Sequence, residues 1–255
     1  MIWKIFFIAL TGAALLTSCQ TARQATPSSM VEGEWKITEV NGSAIKAQSS
    51  PYIGFNTQEK RVYGNFGCNR ISGSFDFNGK NEQIEFGQML STMMACPDME
   101  LEQSILQELN SVECIKFSDN EHVALCDKNR NPLIQMERRF HTVPLSDIDG
   151  KWRIVSVFGE NMPVSDQTPY VNFDTVNSCI SAFAGCNHLS GSIKSGEKNT
   201  LIISNAATTM MACPDMSTEE NVFTALEQVS GFGISPDESL LLFSDGGNEV
   251  MKLKR

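Results

Sequence analysis

Three short fragments of this sequence carry residue types that could break an acyl bond. Ser43-Ala44-Ile45-Lys46 has the spacing S-x-x-K, Ser118-Asp119-Asn120 reads S-D-N, and Lys194-Ser195-Gly196 approximates K-T-G. In serine acyl-transfer enzymes these fragments set a serine hydroxyl beside a lysine amine. That geometry needs the serine at the start of a buried helix, whereas Ser43 follows the turn pair Asn41-Gly42. Cys186-Asn187-His188 places a thiol near an imidazole, and Met93-Met94 and Met210-Met211 offer thioethers suited to soft copper. Only three histidines exist, His122, His141 and His188, and no two lie within a helical turn of each other. No catalytic residue, metal site or cofactor is expected. The methionine pairs are expected to pack against a sheet as apolar side chains.

The elements that would position these fragments are written twice, about 117 residues apart. Gly33-Glu34-Trp35-Lys36-Ile37 returns as Gly150-Lys151-Trp152-Arg153-Ile154. Gly67-Cys68-Asn69-Arg70-Ile71-Ser72-Gly73 returns as Gly185-Cys186-Asn187-His188-Leu189-Ser190-Gly191. Thr92-Met93-Met94-Ala95-Cys96-Pro97-Asp98-Met99 recurs unchanged as Thr209 to Met216, and Arg138 aligns with Arg255. The units span 31–141 and 148–255, with a linker over 142–147, and each is long enough for its own core. The acyl-transfer fragments are not duplicated: Ser43 to Lys46 aligns with Glu160-Asn161-Met162-Pro163. His188 likewise faces Arg70 in the first copy.

Within a copy the pattern is mostly β. Trp35 to Val40 alternates as a half-buried strand does, and glycines punctuate strands over Tyr52 to Phe55, Arg61 to Phe66 and Ser72 to Phe77. Glu113 to Phe117 and His122 to Cys126 flank Ser118-Asp119-Asn120-Glu121 as a hairpin, and Leu133 to Met136 closes the unit. One amphipathic helix is expected after each Cys-Pro-Asp, with Pro97 and Pro214 in the first turn. Ile105, Leu106, Leu109 and Val112 form its apolar stripe, matched by Val222, Phe223, Leu226 and Val229, and Gly231 is expected to end the second helix. The fold class is therefore α+β: two tandem small domains, each a strongly curved antiparallel sheet or open barrel with one helix packed on it.

Eight cysteines accompany this repeat. Cys68 and Cys96 recur together as Cys186 and Cys213, whereas Cys114 and Cys126 are replaced together by Gly231 and Phe243. Residues kept or lost as pairs are expected to bond as pairs, giving Cys68–Cys96, Cys186–Cys213 and Cys114–Cys126; the competing expectation is reduced, buried thiols. Cys179 is left over and is expected to be a buried apolar thiol, the competing expectation being a reactive or intermolecular one. Asn69 and Asn187 are expected to serve as turn-forming amides.

At the N-terminus, Lys4 precedes the apolar run Ile5 to Leu16, too short for a comfortable membrane span. The run ends in Leu16-Thr17-Ser18-Cys19, which resembles the bacterial lipobox. The resemblance implies a signal peptide over 1–18, cleavage after Ser18 and lipidation of Cys19. Residues 19–30, rich in Ser, Thr, Gln and Ala, read as a flexible tether. Gln20 is not the retention aspartate of some Gram-negatives, which favours the outer membrane. The formal charge of −10 argues against nucleic acid and against loose attachment to anionic lipid.

Gly-Cys-Asn followed by Met-Ala-Cys-Pro, in that order in both copies, resembles the META/HslJ family of small envelope domains. The resemblance implies a compact α+β fold and an envelope role loosely linked to stress, motility or drug tolerance, with no catalytic residues to carry over. The expected function is a non-enzymatic envelope lipoprotein, held to the membrane through Cys19, that meets an unknown envelope protein. The second expectation is a carrier holding an apolar ligand inside each barrel, lined by Met94 and Met211.

Overall fold

The computed structural model describes residues 27–46, 50–162, 168–196, 199–213 and 216–255. The expected signal peptide, Cys19, most of the tether, Pro214 and Asp215 lie outside the described residues.

In the first half, a helical turn α1 (Pro27–Val31) leads into β1 (Gly33–Val40) and a short edge strand β2 (Ser43–Ala44). A meander follows through β3 (Tyr52–Asn56), β4 (Arg61–Asn65), β5 (Arg70–Asn78), β6 (Gln83–Phe86) and the two-residue β7 (Leu90–Ser91). Helix α2 (Met99–Leu109) precedes β8 (Cys114–Phe117), β9 (His122–Cys126) and β10 (Pro132–Arg138). All pairings are antiparallel, and β10 returns to β1, so the sheet closes on itself. The weakest seam is between β6 and β8, joined at the single pair Gln83 and Cys114. A register shift between Ile37 and Glu39 bends β1, as a bulge does, and lets it serve both neighbours.

The second half repeats the plan with β11 (Gly150–Val157), β12 (Glu160–Asn161), β13 (Tyr170–Asp174), β14 (Cys179–Phe183), β15 (His188–Ser195) and β16 (Leu201–Thr208). Helix α3 (Ser217–Glu227), β17 (Val229–Ile234), β18 (Leu240–Ser244) and β19 (Glu249–Lys254) complete it. Here the gap between β16 and β17 is spanned by one bridge, Thr200 to Gly231. Each half is thus an antiparallel barrel-like sheet with a helix.

The barrels are filled. Trp35, Ile37, Ile53, Phe55 and Val62 meet Ile105 and Leu109 of α2 in one buried cluster. Trp152, Ile154, Val171 and Phe173 meet Val222 and Leu226 of α3 in another. A repeated lock fastens each chain start to its end. Trp35 Nε1 donates to the Val31 carbonyl at 2.9 Å while the Arg138 guanidinium lies 4.1 Å over its ring. Trp152 Nε1 donates to the Ile148 carbonyl at 2.8 Å under Arg255, 4.6 Å away. Such stacking adds about 0.5–2 kcal/mol according to exposure.

Several sequence expectations need correction. Residues 27–30, assigned to the tether, are helical and lead into Val31, whose carbonyl accepts from buried Trp35. Both helices start later than the prolines suggested, at Met99 and Ser217, and the cysteine before each is bridged to the bend that precedes β5 or β15. The second helix ends at Glu227, so Val229 and Gly231 belong to β17 rather than to the helix and its cap.

The two halves meet at a seam. His141 pairs with Ile234 through two backbone hydrogen bonds of 2.7 and 3.1 Å, extending the chain onto β17. Phe140, Leu241 and Phe243 form a separate buried cluster, the Phe rings 4.8 Å apart. Arg139 is buried between the halves: it pairs with Glu34 at 2.6 Å, donates to the Gly247 carbonyl, and stacks 4.0 Å from Tyr52 and 4.4 Å from Phe243. Phe243 stands where the first copy has Cys126, so the position that seals one barrel docks the other.

Candidate functional site

The octapeptide that recurs unchanged forms the loop between the meander and the helix in each half. Cys96 in this loop is bridged to Cys68 with Cα atoms 5.6 Å apart, and Cys213 to Cys186 with Cα atoms 6.3 Å apart. Closing loops of 28 and 27 residues stabilises each half by about 3–4 kcal/mol on the chain-entropy account.

Beside each bridge lies a buried polar clamp. Asn69 donates from its backbone to Glu102 Oε2 at 2.8 Å and from Nδ2 to Glu102 Oε1 at 3.0 Å. Its Oδ1 accepts from the Met94 amide at 2.7 Å and from Thr92 Oγ1 at 2.8 Å, while Nδ2 also reaches the Met94 carbonyl at 3.1 Å. The second half repeats every contact. Asn187 binds Glu219 through its backbone and through Nδ2 at 2.8 Å, and binds Met211 N at 2.7 Å, Met211 O at 3.0 Å and Thr209 Oγ1 at 2.7 Å. The two asparagines, expected to be turn amides, instead tie loop, strand and helix together. Glu102 and Glu219, on the buried faces of α2 and α3, were missed. Their shared spacing from the repeated octapeptide was the available signal.

With its backbone held at both ends, the loop turns its methionines outward. Met93 is 100% exposed and Met210 97%, and Met94 and Met211 are more than half exposed. This corrects the expectation that they pack as core side chains or line a barrel interior. Met211 instead borders an external groove of about 550 Å³ together with Met216, Phe223 and Thr208. Leu90 and Met99, near the loop of the first half in sequence, are also exposed.

The remaining residues fall elsewhere. Cys114 and Cys126 oppose each other in register on β8 and β9 but are free thiols, which corrects the third bridge. Cys114 Sγ lies 3.5 Å from the Asp127 carbonyl and Cys126 Sγ 3.6 Å from the Ala124 carbonyl, with the two thiols still close enough to interact. Burial first, then the neighbouring Cys114, pushes the Cys126 thiol up to about 12. Cys179, expected to be buried, is exposed at the start of β14. Ser43 lies on exposed β2 and Ser118 to Asn120 in the β8–β9 turn, while Lys194 and Ser195 end β15 in the other half. The three acyl-transfer fragments therefore share no helix, and the third lies in the other half from the first two. His188 stacks on Phe183 at 4.8 Å and is exposed. Among the described residues, no three His, Cys, Asp or Glu side chains gather as a metal site.

The META domain family model matches twice, over residues 28–140 and 144–255. The chain belongs to the META domain family. Each META domain coincides with one barrel-like sheet and its helix. Among solved structures, the tandem META chain is similar to a protein from Burkholderia xenovorans determined by NMR, at 16% identity and a TM-score of 0.37, covering 55% of this chain and all of that one. It is also similar to a DUF4847 family protein from Bacteroides vulgatus, at 13% identity and a TM-score of 0.34, covering 43% of this chain and 94% of that one. A search of curated proteins returned no match.

Proposed function

We propose that this tandem META-domain chain is a non-enzymatic lipoprotein of the bacterial envelope, anchored through Cys19 in the outer membrane. Its two methionine loops dock an apolar segment of an envelope protein, in a structural or stress-related role. The observation that carries this reading is the duplicated octapeptide. Its cysteine and its threonine are explained by the bridge and the clamp, but Met93 and Met210 touch solvent and are nevertheless kept in both halves. Exposed apolar side chains on a rigid backbone suit recognition of a partner, and the thioether adapts to irregular apolar surfaces.

The dispersal of the serine, lysine and histidine fragments supports a role without chemistry. The filled barrel interiors weigh against a carrier, and the apolar groove beside Met211 lies open on the outside. The test is a photo-crosslinking side chain in place of Met93 or Met210, used in intact cells. Both positions are expected to capture the same envelope protein, whereas one in place of exposed Asp76 captures none. Acyl lipid captured in place of protein would favour the carrier. A Cys19→Ala form is expected to leave the membrane fraction, and its retention there would refute the anchor.

A further inference from the structure

The seam between the halves leaves a cleft of about 310 Å³ that neither half forms alone. One wall comes from Tyr63, Arg70 and the Glu34–Arg139 pair, the other from Asn199, Ser230 and the turn at Ser244 to Gly247. The second wall depends on what replaced the buried cysteines of the first copy. Gly231 presents bare backbone to the cleft, and Phe243 closes its end against Phe140.

The charge in the lining cancels: Glu34 and Asp245 oppose Arg70 and Arg139. A site without net charge gives no field that gathers an anion or a cation. It does offer hydrogen-bonding groups of both kinds. Ser230 Oγ donates to the Phe243 carbonyl and Ser244 Oγ to the Asn248 carbonyl, which leaves each hydroxyl oxygen able to accept. Tyr63 donates to Glu34 at 3.3 Å and likewise keeps its acceptor lone pairs. Burial, followed by the Glu34 charge, raises the Tyr63 pKa, so its hydroxyl stays protonated. Among the described residues the Arg70 guanidinium has no ion pair, and it lies beside Gly246 as an available multiple donor.

We propose that this cleft binds a small, neutral, polyhydroxylated molecule of one saccharide ring. Donors and acceptors in one lining match hydroxyl groups, each of which gives and takes a hydrogen bond. The volume stands at the small end of the roughly 300–1,000 Å³ usual for such sites, and clefts between domains are their common location.

The test is calorimetric titration of the purified full chain with glucose and with N-acetylglucosamine, with inorganic phosphate as the charged comparison. At least one sugar is expected to bind, with saturation-transfer signals from its ring protons. Arg70→Ala is expected to weaken binding about tenfold, the loss of one charge-assisted hydrogen bond. Asp76→Asn, on the far surface, is expected to leave it unchanged. Binding of phosphate in place of either sugar, sugar binding indifferent to Arg70→Ala, or no binding of either sugar at millimolar concentration would each overturn the proposal. The methionine loops take no part in this cleft, so its failure leaves the docking role untouched.

Discussion

At the scale of single residues, the buried amide–carboxylate clamp decides how firmly the methionine loops are held. Asn69 and Asn187 each satisfy two groups of a buried glutamate and two backbone groups of the loop. Asn69→Ala or Asn187→Ala removes the Nδ2 donor from the Glu102 or Glu219 carboxylate and the Oδ1 acceptor from the loop, leaving the backbone donor in place, with an expected loss of about 1–3 kcal/mol. Urea unfolding checks this, and a midpoint within error of the parent would show that the carboxylate finds water instead. Cysteine chemistry is separable at the same scale. Native, unreduced protein is expected to take an alkylating label at exposed Cys179 and to leave buried Cys114 and Cys126 unlabelled. After denaturation without reductant those two become labelled, and the four bridged cysteines still do not; peptide mass mapping reads the pattern. The bridged pairs were legible because the repeat kept them together. The state of Cys114 and Cys126 was not, because joint replacement says only that two residues are neighbours, and opposed strand partners are neighbours whether or not they bond.

At the scale of elements, the turn between β17 and β18 shows how a local network sets acid sensitivity. Burial works to raise the Asp237 pKa, but donors from Ser235, Lys252, Lys254 and Ser239 outweigh it and hold the carboxyl well below its ordinary 3.8. A depressed folded pKa means that the stabilisation is whole above about pH 4 and is lost as pH falls through the folded value. Asp237→Asn is expected to flatten the fall of stability below that pH, read as urea midpoints over an acid series; an unchanged slope would assign acid sensitivity to other carboxylates. Strand positions were readable because alternation around Trp35 and Ile37 maps directly onto one buried face. Helix ends were not. The bridged loop sets the start of the first helix beyond Pro97, and pairing with Phe243 takes Gly231 into β17; such constraints act across the fold rather than along the chain. The outward turn of the methionines was hidden for the same reason, since apolar residues beside a bridged cysteine resemble core residues until the clamp fixes their direction.

At the scale of the whole molecule, duplication produced two barrels that diverged where they touch. Arg138 and its counterpart Arg255 perform the same stacking within each half, whereas Arg139, the next residue, joins the halves. Phe140 packs so closely on Gly233 that a Cβ there would come within 2.3 Å of its ring. The seam is therefore narrow and specific, and two substitutions test it from opposite sides. Arg139→Ala removes the cation shared by Glu34, Tyr52, Phe243 and the Gly247 carbonyl, and Gly233→Ala displaces Phe140. Because each half keeps its own core and its own bridge, both variants are expected to retain their barrels while the halves lose their fixed orientation. Nitrogen-15 relaxation distinguishes these outcomes: the parent tumbles with one correlation time, whereas either variant is expected to give shorter times for both halves. Chemical shifts around Trp35 and Trp152 should stay in place in that case. A single unchanged correlation time in both variants would mean that the His141–Ile234 strand bridge suffices to hold the halves together, and that Arg139 serves only to neutralise Glu34.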